Sequence, residues 1–313
     1  MELYSILFNN ASFNVDAVIR SPFYENRVRR YYRIVGSCKS ILCLSDDLFG
    51  YSNVLLLWNP AICRCLRLPM PPHDCSKKGA SFSMVGFGFD MESKDYKVVK
   101  MNYVHSQGAC LMPPIVEIFS LSPGIWKQFD GFVPETCTVE QLYKQAVVQG
   151  KVHWIGYKIN RERNRVENLI VAFDLSDEIF VELQLPDCLV NGPPMQMNTA
   201  EFGESLAIYH YDYYTWTPSC SIWVMKEYGV AESWSKEFNV PLDPKPGKIL
   251  GFRNDGEILL TRNTGQLVSY NPRTHEQTDV GIVGTENSFF MGTYEESLVL
   301  LNEGELLLPN DAL

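Results

Sequence analysis

A chain of 313 residues with 46% hydrophobic and 20% charged residues has a globular composition, and its 12% aromatic content argues against disorder. The net charge of −10, from 27 Lys and Arg against 37 Asp and Glu, disfavours nucleic acid and anionic membranes, because affinity for either rests on basic residues that neutralise phosphate. No apolar run approaches the roughly 18 residues needed to span a bilayer. The opening Met1-Glu2-Leu3-Tyr4-Ser5-Ile6 lacks the basic and apolar regions of a signal peptide. The nine cysteines, an odd number with no C-x-x-C pair, read as reduced thiols, so the expected compartment is cytosol or nucleus.

Along the chain, helical periodicity is nearly absent and short apolar or alternating runs recur between turn residues, which predicts an all-β protein. The first pair of strands is expected at Leu3–Phe8 and Phe13–Ile19. Tyr32–Cys38 and Ile41–Ser45 follow, then Leu55-Leu56-Leu57-Trp58-Asn59-Pro60 and Cys65-Leu66-Arg67-Leu68-Pro69. That four-strand unit recurs four more times. Its third strands are Val116–Ser120, Ile170–Asp174, Ile222–Met225 and Leu267–Tyr270, and Pro69, Pro134, Pro186 and Pro241 close successive copies. A repeat of roughly fifty to sixty-five residues with four strands per copy is the grammar of a kelch-like β-propeller. A last pair is expected at Phe289–Tyr294 and Leu298–Asn302. Joined to the N-terminal pair it would make a sixth four-stranded blade, closing the ring and removing two exposed edges. The expected architecture is a closed six-bladed propeller over residues 1–303, followed by a flexible tail over 304–313.

Trp58-Asn59-Pro60 and Tyr270-Asn271-Pro272 are best explained as hairpin turns, since Asn bonds its own backbone and Pro fixes φ. Gly86-Phe87-Gly88 opens no helix and lacks the third glycine of a dinucleotide site, and reads as room for a close neighbour. The five histidines share no ligand spacing, and no Ser, Cys or Thr carries a nucleophile-elbow context, so neither a metal, a cofactor nor a catalytic residue is assigned.

Loop lengths carry more. Turns between first and second, and third and fourth, strands of a blade open on one face, and these are short. The remaining connections open on the other face and hold the long irregular stretches, including Met70–Ala80, His105–Pro114, Lys158–Asn168, Asp187–Met197 and Tyr211–Ser219. Partner-binding residues are therefore expected on that face: Tyr211, Tyr213, Tyr214 and Trp216, with His105, and Arg161 and Arg163 from a basic loop.

Tyr32-Arg33-Ile34-Val35-Gly36-Ser37-Cys38, Leu42-Cys43-Leu44-Ser45-Asp46 and Leu57-Trp58-Asn59-Pro60 carry a family likeness. So do Gly86-Phe87-Gly88-Phe89-Asp90, Asp95–Lys100, Val152-His153-Trp154 and Tyr294–Leu301. Together they resemble the plant F-box-associated interaction domain, type 1, of F-box/kelch-repeat and S-locus F-box proteins. The resemblance implies a non-enzymatic substrate receptor of an SCF-type (cullin-RING) ubiquitin ligase, holding a protein substrate on the long-loop face. Residues 1–30 resemble no F-box helix pair, so binding to a Skp-type adaptor and cullin is expected only if an F-box is restored. Two alternatives stand beside this. One is a propeller-only decoy that occupies the substrate without delivering it. The other is a propeller hydrolase, which would need carboxylates or histidines converging on the axis.

Overall fold

A computed structural model describes residues 3–7, 15–20, 32–46, 54–73, 81–106, 109–110, 113–134, 137–139, 144–160, 165–242, 247–284, 288–300 and 305–306. The chain divides into two compact units, residues 1–68 with 247–313, and residues 69–246.

The larger unit holds three antiparallel sheets, each following chain order. Blade 2 consists of β7 (Ser81–Asp90), β8 (Asp95–Ser106), β10 (Ile115–Ser120) and β11 (Ile125–Gln128), with the two-residue β9 (Ala109–Cys110) folded back on β8. In blade 3 the inner position is shared by β12 (Cys137–Val139) and β13 (Ala146–Val148), both paired to β14 (Lys151–Asn160); β15 (Arg165–Asp174) and β16 (Phe180–Leu183) follow. Blade 4 is β17 (Met197–Phe202), β18 (Ser205–Asp212), β19 (Ser219–Met225) and β20 (Trp234–Pro241).

One apolar core runs through these three blades, with Met84, Val99 and Ile118 from blade 2, Val152, Trp154 and Phe173 from blade 3, and Leu206 and Ile208 from blade 4. The glycines beside Phe87 make this contact possible. A Cβ on Gly86 would lie 2.3 Å from the Trp154 ring, and one on Gly88 would lie 2.6 Å from Leu175. The close neighbours are thus side chains of the next blade.

The smaller unit contains blade 1, β3 (Arg33–Cys38), β4 (Ile41–Ser45), β5 (Leu55–Asn59) and β6 (Arg64–Arg67). It also contains blade 5, β21 (Lys248–Phe252), β22 (Ile258–Thr261), β23 (Gln266–Tyr270) and β24 (Gln277–Val283). Asn59 Oδ1 accepts the Ala61 amide, and Asn271 Oδ1 accepts those of Arg273 and Thr274, so both Asn-Pro motifs are hairpin turns.

The protein is an all-β propeller of four-stranded blades, but the described residues form five blades and not the expected six. The N-terminal pair exists as a hairpin of β1 (Leu3–Leu7) and β2 (Val15–Arg20), which forms a two-stranded sheet by itself. Residues 288–300, expected to supply the partner strands, contain no strand. Their polar groups are engaged elsewhere in the same unit. Ser37 Oγ donates to the Thr293 carbonyl, the Glu295 amide donates to the Lys39 carbonyl, and Asn59 Nδ2 donates to the carbonyls of Ser297 and Val299. Phe289 and Met291 meanwhile pack on Leu259 and Leu267 of blade 5. The segment is a strap laid over blades 5 and 1, held by side-chain bonds that a ladder would forgo. Beyond it, β25 (Glu305–Leu306) adds a fifth strand to β6.

Candidate functional site

In a four-stranded meander, successive connections alternate between the two ends of the sheet. The turns β7–β8, β10–β11, β15–β16, β17–β18 and β19–β20 therefore share one end of blades 2–4 (the turn end), and the β8–β10, β14–β15, β18–β19 and blade-to-blade connections share the other (the loop end).

The turn end exposes Met91, Ile125 and Ile179, and its charged groups form a tied network. Lys97 pairs with Asp90 at 2.8 Å and Glu178 at 3.0 Å and donates to the Leu175 carbonyl at 2.6 Å, while Lys127 completes Glu178 at 2.5 Å. Burial alone would raise the carboxyl pKa values here. The hydrogen bonds to Lys97, with those from Ser93 and Ser176, nevertheless hold Asp90 far below the usual carboxylate range, and Lys127 and Lys97 likewise lower Glu178. The network joins blades 2 and 3.

A second bridge joins blades 3 and 4. His153 is fully buried, its Nδ1 lies 3.3 Å from the Ala146 carbonyl, and its Nε2 lies 2.7 Å from the Tyr228 hydroxyl. A carbonyl can only accept, so Nδ1 carries the proton and Nε2 accepts from Tyr228. Burial lowers the His153 pKa to about 4 and raises that of Tyr228 to about 12. These titratable groups are engaged in holding blades together. Among the described residues, no group of three or more His, Cys, Asp or Glu is placed to hold a metal ion, and no helix is long and apolar enough to cross a membrane.

The loop end differs in character. Trp216 is fully exposed, Tyr214 is 88% exposed, Phe132 and Met195 are each 76% exposed, and Met70 is 61% exposed. Large aromatic residues left in water at one end of a scaffold mark a surface that another molecule covers. Tyr214 and Trp216 ride on the loop between β18 and β19, whose ladder continues to the Asp212–Ser219 pair at its base. The Leu242 amide ties that base by donating to the Pro218 carbonyl, and Thr215 Oγ1 closes the tip on the Thr217 carbonyl at 3.1 Å. Met195 lies on a 3₁₀ turn, Pro194–Gln196, in the connection from blade 3 to blade 4. That connection also contains the short helix α1 (Asp187–Val190) and is held by Asn168 Nδ2, which donates to the carbonyls of Leu189 and Gly192. Phe132 occupies the connection from blade 2 to blade 3, and Met70 the stretch just before blade 2.

The sequence-derived residues are only partly brought together. Tyr214 and Trp216 are displayed as expected. Tyr211 is buried in β18 at 3% exposure and stacks on half-buried Tyr213, ring centroids 5.3 Å apart, so this pair supports the loop from below. His105 lies within β8, opposite Cys110. Arg161 and Arg163 lie outside the described residues. On either side of them β14 runs to Asn160 and β15 begins at Arg165, and Lys158 pairs with Glu182 at 2.5 Å. Phe132, Met195 and Met70 were not expected. Their signal was a large apolar residue isolated among Gly and Pro in a connector, as in Gly131-Phe132-Val133-Pro134 and Pro193-Pro194-Met195.

The F-box associated beta propeller domain, as a sequence family, matches residues 1–298. The chain belongs to this family. Among its relatives is F-box protein At3g07870 of Arabidopsis thaliana, 30% identical over 299 residues that cover 82% of this chain and 68% of that protein. F-box protein CPR1 of the same plant is 28% identical over 84% of this chain and 68% of its own length. F-box/kelch-repeat protein At3g23880 is 27% identical over 68% of this chain, and the match spans 54% of that relative. The family likeness thus extends over five of the repeats read from the sequence and over the strap.

Proposed function

We propose that this domain is the substrate-recognition part of an SCF-type ubiquitin ligase receptor, and that it holds a protein substrate at the loop end of blades 2–4. The observation that carries the reading is the exposure of Phe132, Met195, Tyr214 and Trp216 at one end of a rigid scaffold, in a family whose relatives are F-box proteins. Aromatic and methionine side chains offer large contact area at low entropic cost. The domain itself catalyses no step: its role is to position the substrate, and ubiquitin transfer belongs to the ligase's other subunits. Contact with a Skp-type adaptor and cullin runs through an F-box, the element for which the relatives are named.

Pull-down from plant extract compares the chain with and without an F-box fused to its N-terminus. Substrate recovery by both forms, adaptor recovery by the fusion alone, and loss of the substrate in a Tyr214→Ala/Trp216→Ala variant are expected. Adaptor bound equally by both forms would contradict the division of labour proposed here.

A further inference from the structure

Several hydroxyl side chains of blades 2–4 are turned inward. Ser93 and Ser176 donate to the Asp90 carboxylate, Thr199 to the carbonyls of Lys144 and His153, and Ser233 to those of Glu227 and Val230. Thr217 differs. It is exposed on the β18–β19 loop next to fully exposed Trp216, and its hydroxyl has no hydrogen-bond partner among the described residues. Pro218 follows it. A residue before proline is pushed out of helical backbone into the extended region. The loop holds the pair from both sides, because Thr215 Oγ1 donates to the Thr217 carbonyl at 3.1 Å and the Leu242 amide donates to the Pro218 carbonyl at 2.9 Å. Residues 213–218 lie beyond the last ladder pair, Asp212–Ser219, so an enzyme cleft can take Thr217 without unpairing a strand. Two other hydroxyl–proline pairs occur, Ser21-Pro22 and Ser122-Pro123. Ser21 lies outside the described residues. The Ser122 amide is bonded to both Asp95 carboxylate oxygens, at 3.0 and 3.1 Å, so a phosphate on Ser122 would be set beside a carboxylate.

We propose that Thr217 is a phosphorylation site for a proline-directed protein kinase, and that its phosphate releases the protein held at Trp216. The release rests on the loop end being the recognition face; the site does not. The γ-phosphoryl group of ATP passes to Thr217 Oγ1. The new O–P bond forms as the bond from that phosphorus to the bridging oxygen breaks, ADP leaves, and the hydroxyl proton goes to the kinase's base. The product carries about −1.5 to −2 charge at pH 7, one residue from the Trp216 indole. Covering that indole then requires stripping water from a phosphate, a cost that aromatic contact does not offset. The exposed loop is thereby a switch as well as a contact.

The test treats the full chain with a purified proline-directed kinase of the mitogen-activated type, ATP and Mg²⁺, and maps phosphate by mass spectrometry. Phosphate on Thr217 is expected, retained in Thr217→Ser and lost in Pro218→Ala, each shown by circular dichroism to be folded. Pull-down from desalted plant extract containing phosphatase inhibitors then compares treated and untreated chain. The species whose capture requires Trp216 should be recovered at least about tenfold less on the phosphorylated chain. Recovery should be undiminished on a kinase-treated Thr217→Val chain, which has no hydroxyl to modify. Phosphate confined to Ser21 or Ser122, or none at all, would overturn the site. Phosphate on Thr217 with equal or greater recovery would overturn the release and leave site and face in place. Were no Trp216-dependent species recovered from the untreated chain, the recognition reading would fall and the release with it, while the mapped phosphate stood.

Discussion

Gln145 serves Phe87 as a substitute strand. Its Nε2 donates to the Phe87 carbonyl at 2.7 Å and its Oε1 accepts the Phe87 amide at 2.8 Å, so one side chain of blade 3 satisfies both backbone groups on the free edge of β7. Glu201 of blade 4 repeats half of this for blade 3, accepting the Val147 amide at 2.9 Å. Inner strands leave one edge unpaired, and the next blade supplies the missing partner. Gln145→Ala should therefore lower stability by about 1–3 kcal/mol, the cost of orphaning buried polar groups. Gln145→Glu should recover only part, because it keeps the acceptor and loses the donor. Urea midpoints of the three proteins check this.

Asn59 should matter more than its place in a turn suggests. It is fully buried, donates to the carbonyls of Ser297 and Val299, and accepts from the Ala61 amide and the Tyr294 hydroxyl. Asn59→Ala should cost about 2–4 kcal/mol and Tyr294→Phe about 1 kcal/mol. Amide exchange at Gly292–Val299 should accelerate in Asn59→Ala if these bonds hold the strap. Unchanged exchange would mean that Phe289 and Met291 anchor it alone.

Gly86 and Trp154 form a coupled pair. A Cβ at position 86 meets the indole at 2.3 Å, and Trp154 is fully buried. Gly86→Ala should destabilise by about 1–3 kcal/mol through overpacking. Trp154 Nε1 has no hydrogen-bond partner among the described residues, so Trp154→Phe loses volume without breaking a bond. The double variant should be more stable than the sum of its single changes implies, and a double-mutant cycle measures the difference.

Stability should fall in two steps as pH decreases. His153 titrates near 4 in the fold because burial disfavours its charged form, against 6.5 for a free side chain. Between those values the unfolded chain binds the extra proton, so stability is lost as pH drops from about 6.5 to 4, by an amount on the order of 3 kcal/mol. His210, also lowered by burial, acts in the same direction. Asp90, Asp174 and Glu178 are depressed by their lysine and backbone partners, so their contribution is present above the ordinary carboxylate range and is lost below about pH 4. His153→Gln should flatten the upper step and leave the lower one, as read by thermal unfolding from pH 7.5 to 3.

Blades 1–5 were legible because each carries the same four-strand grammar and ends on a proline or a turn motif, and Trp126 and Trp234 recur at matching points. Both indoles donate to connector carbonyls, those of Pro69 and Gln184. The sixth blade misled because Leu298–Leu301 is a short apolar run and looks like a strand, while the competing bonds from Asn59 lie some 240 residues away and leave no local trace. Exposure was equally hard to read. Tyr211 and Tyr214 belong to one aromatic run, but strand alternation and the extension of β18 to Asp212 bury the first, and the loop lifts out the second. Phe132 and Met195 lay in connectors too irregular for any periodicity to mark them.

The most direct test of the central claim places a photo-crosslinking phenylalanine analogue at position 216 or at position 204 of the F-box fusion and irradiates each in plant extract. Position 216 lies at the loop end and 204 at the turn end, both exposed. One protein species should be attached at 216, competed by an excess of unlabelled chain but not by the Tyr214→Ala/Trp216→Ala variant, and absent at 204. Specific attachment at 204 with none at 216 would place recognition on the turn end and contradict loop-end recognition.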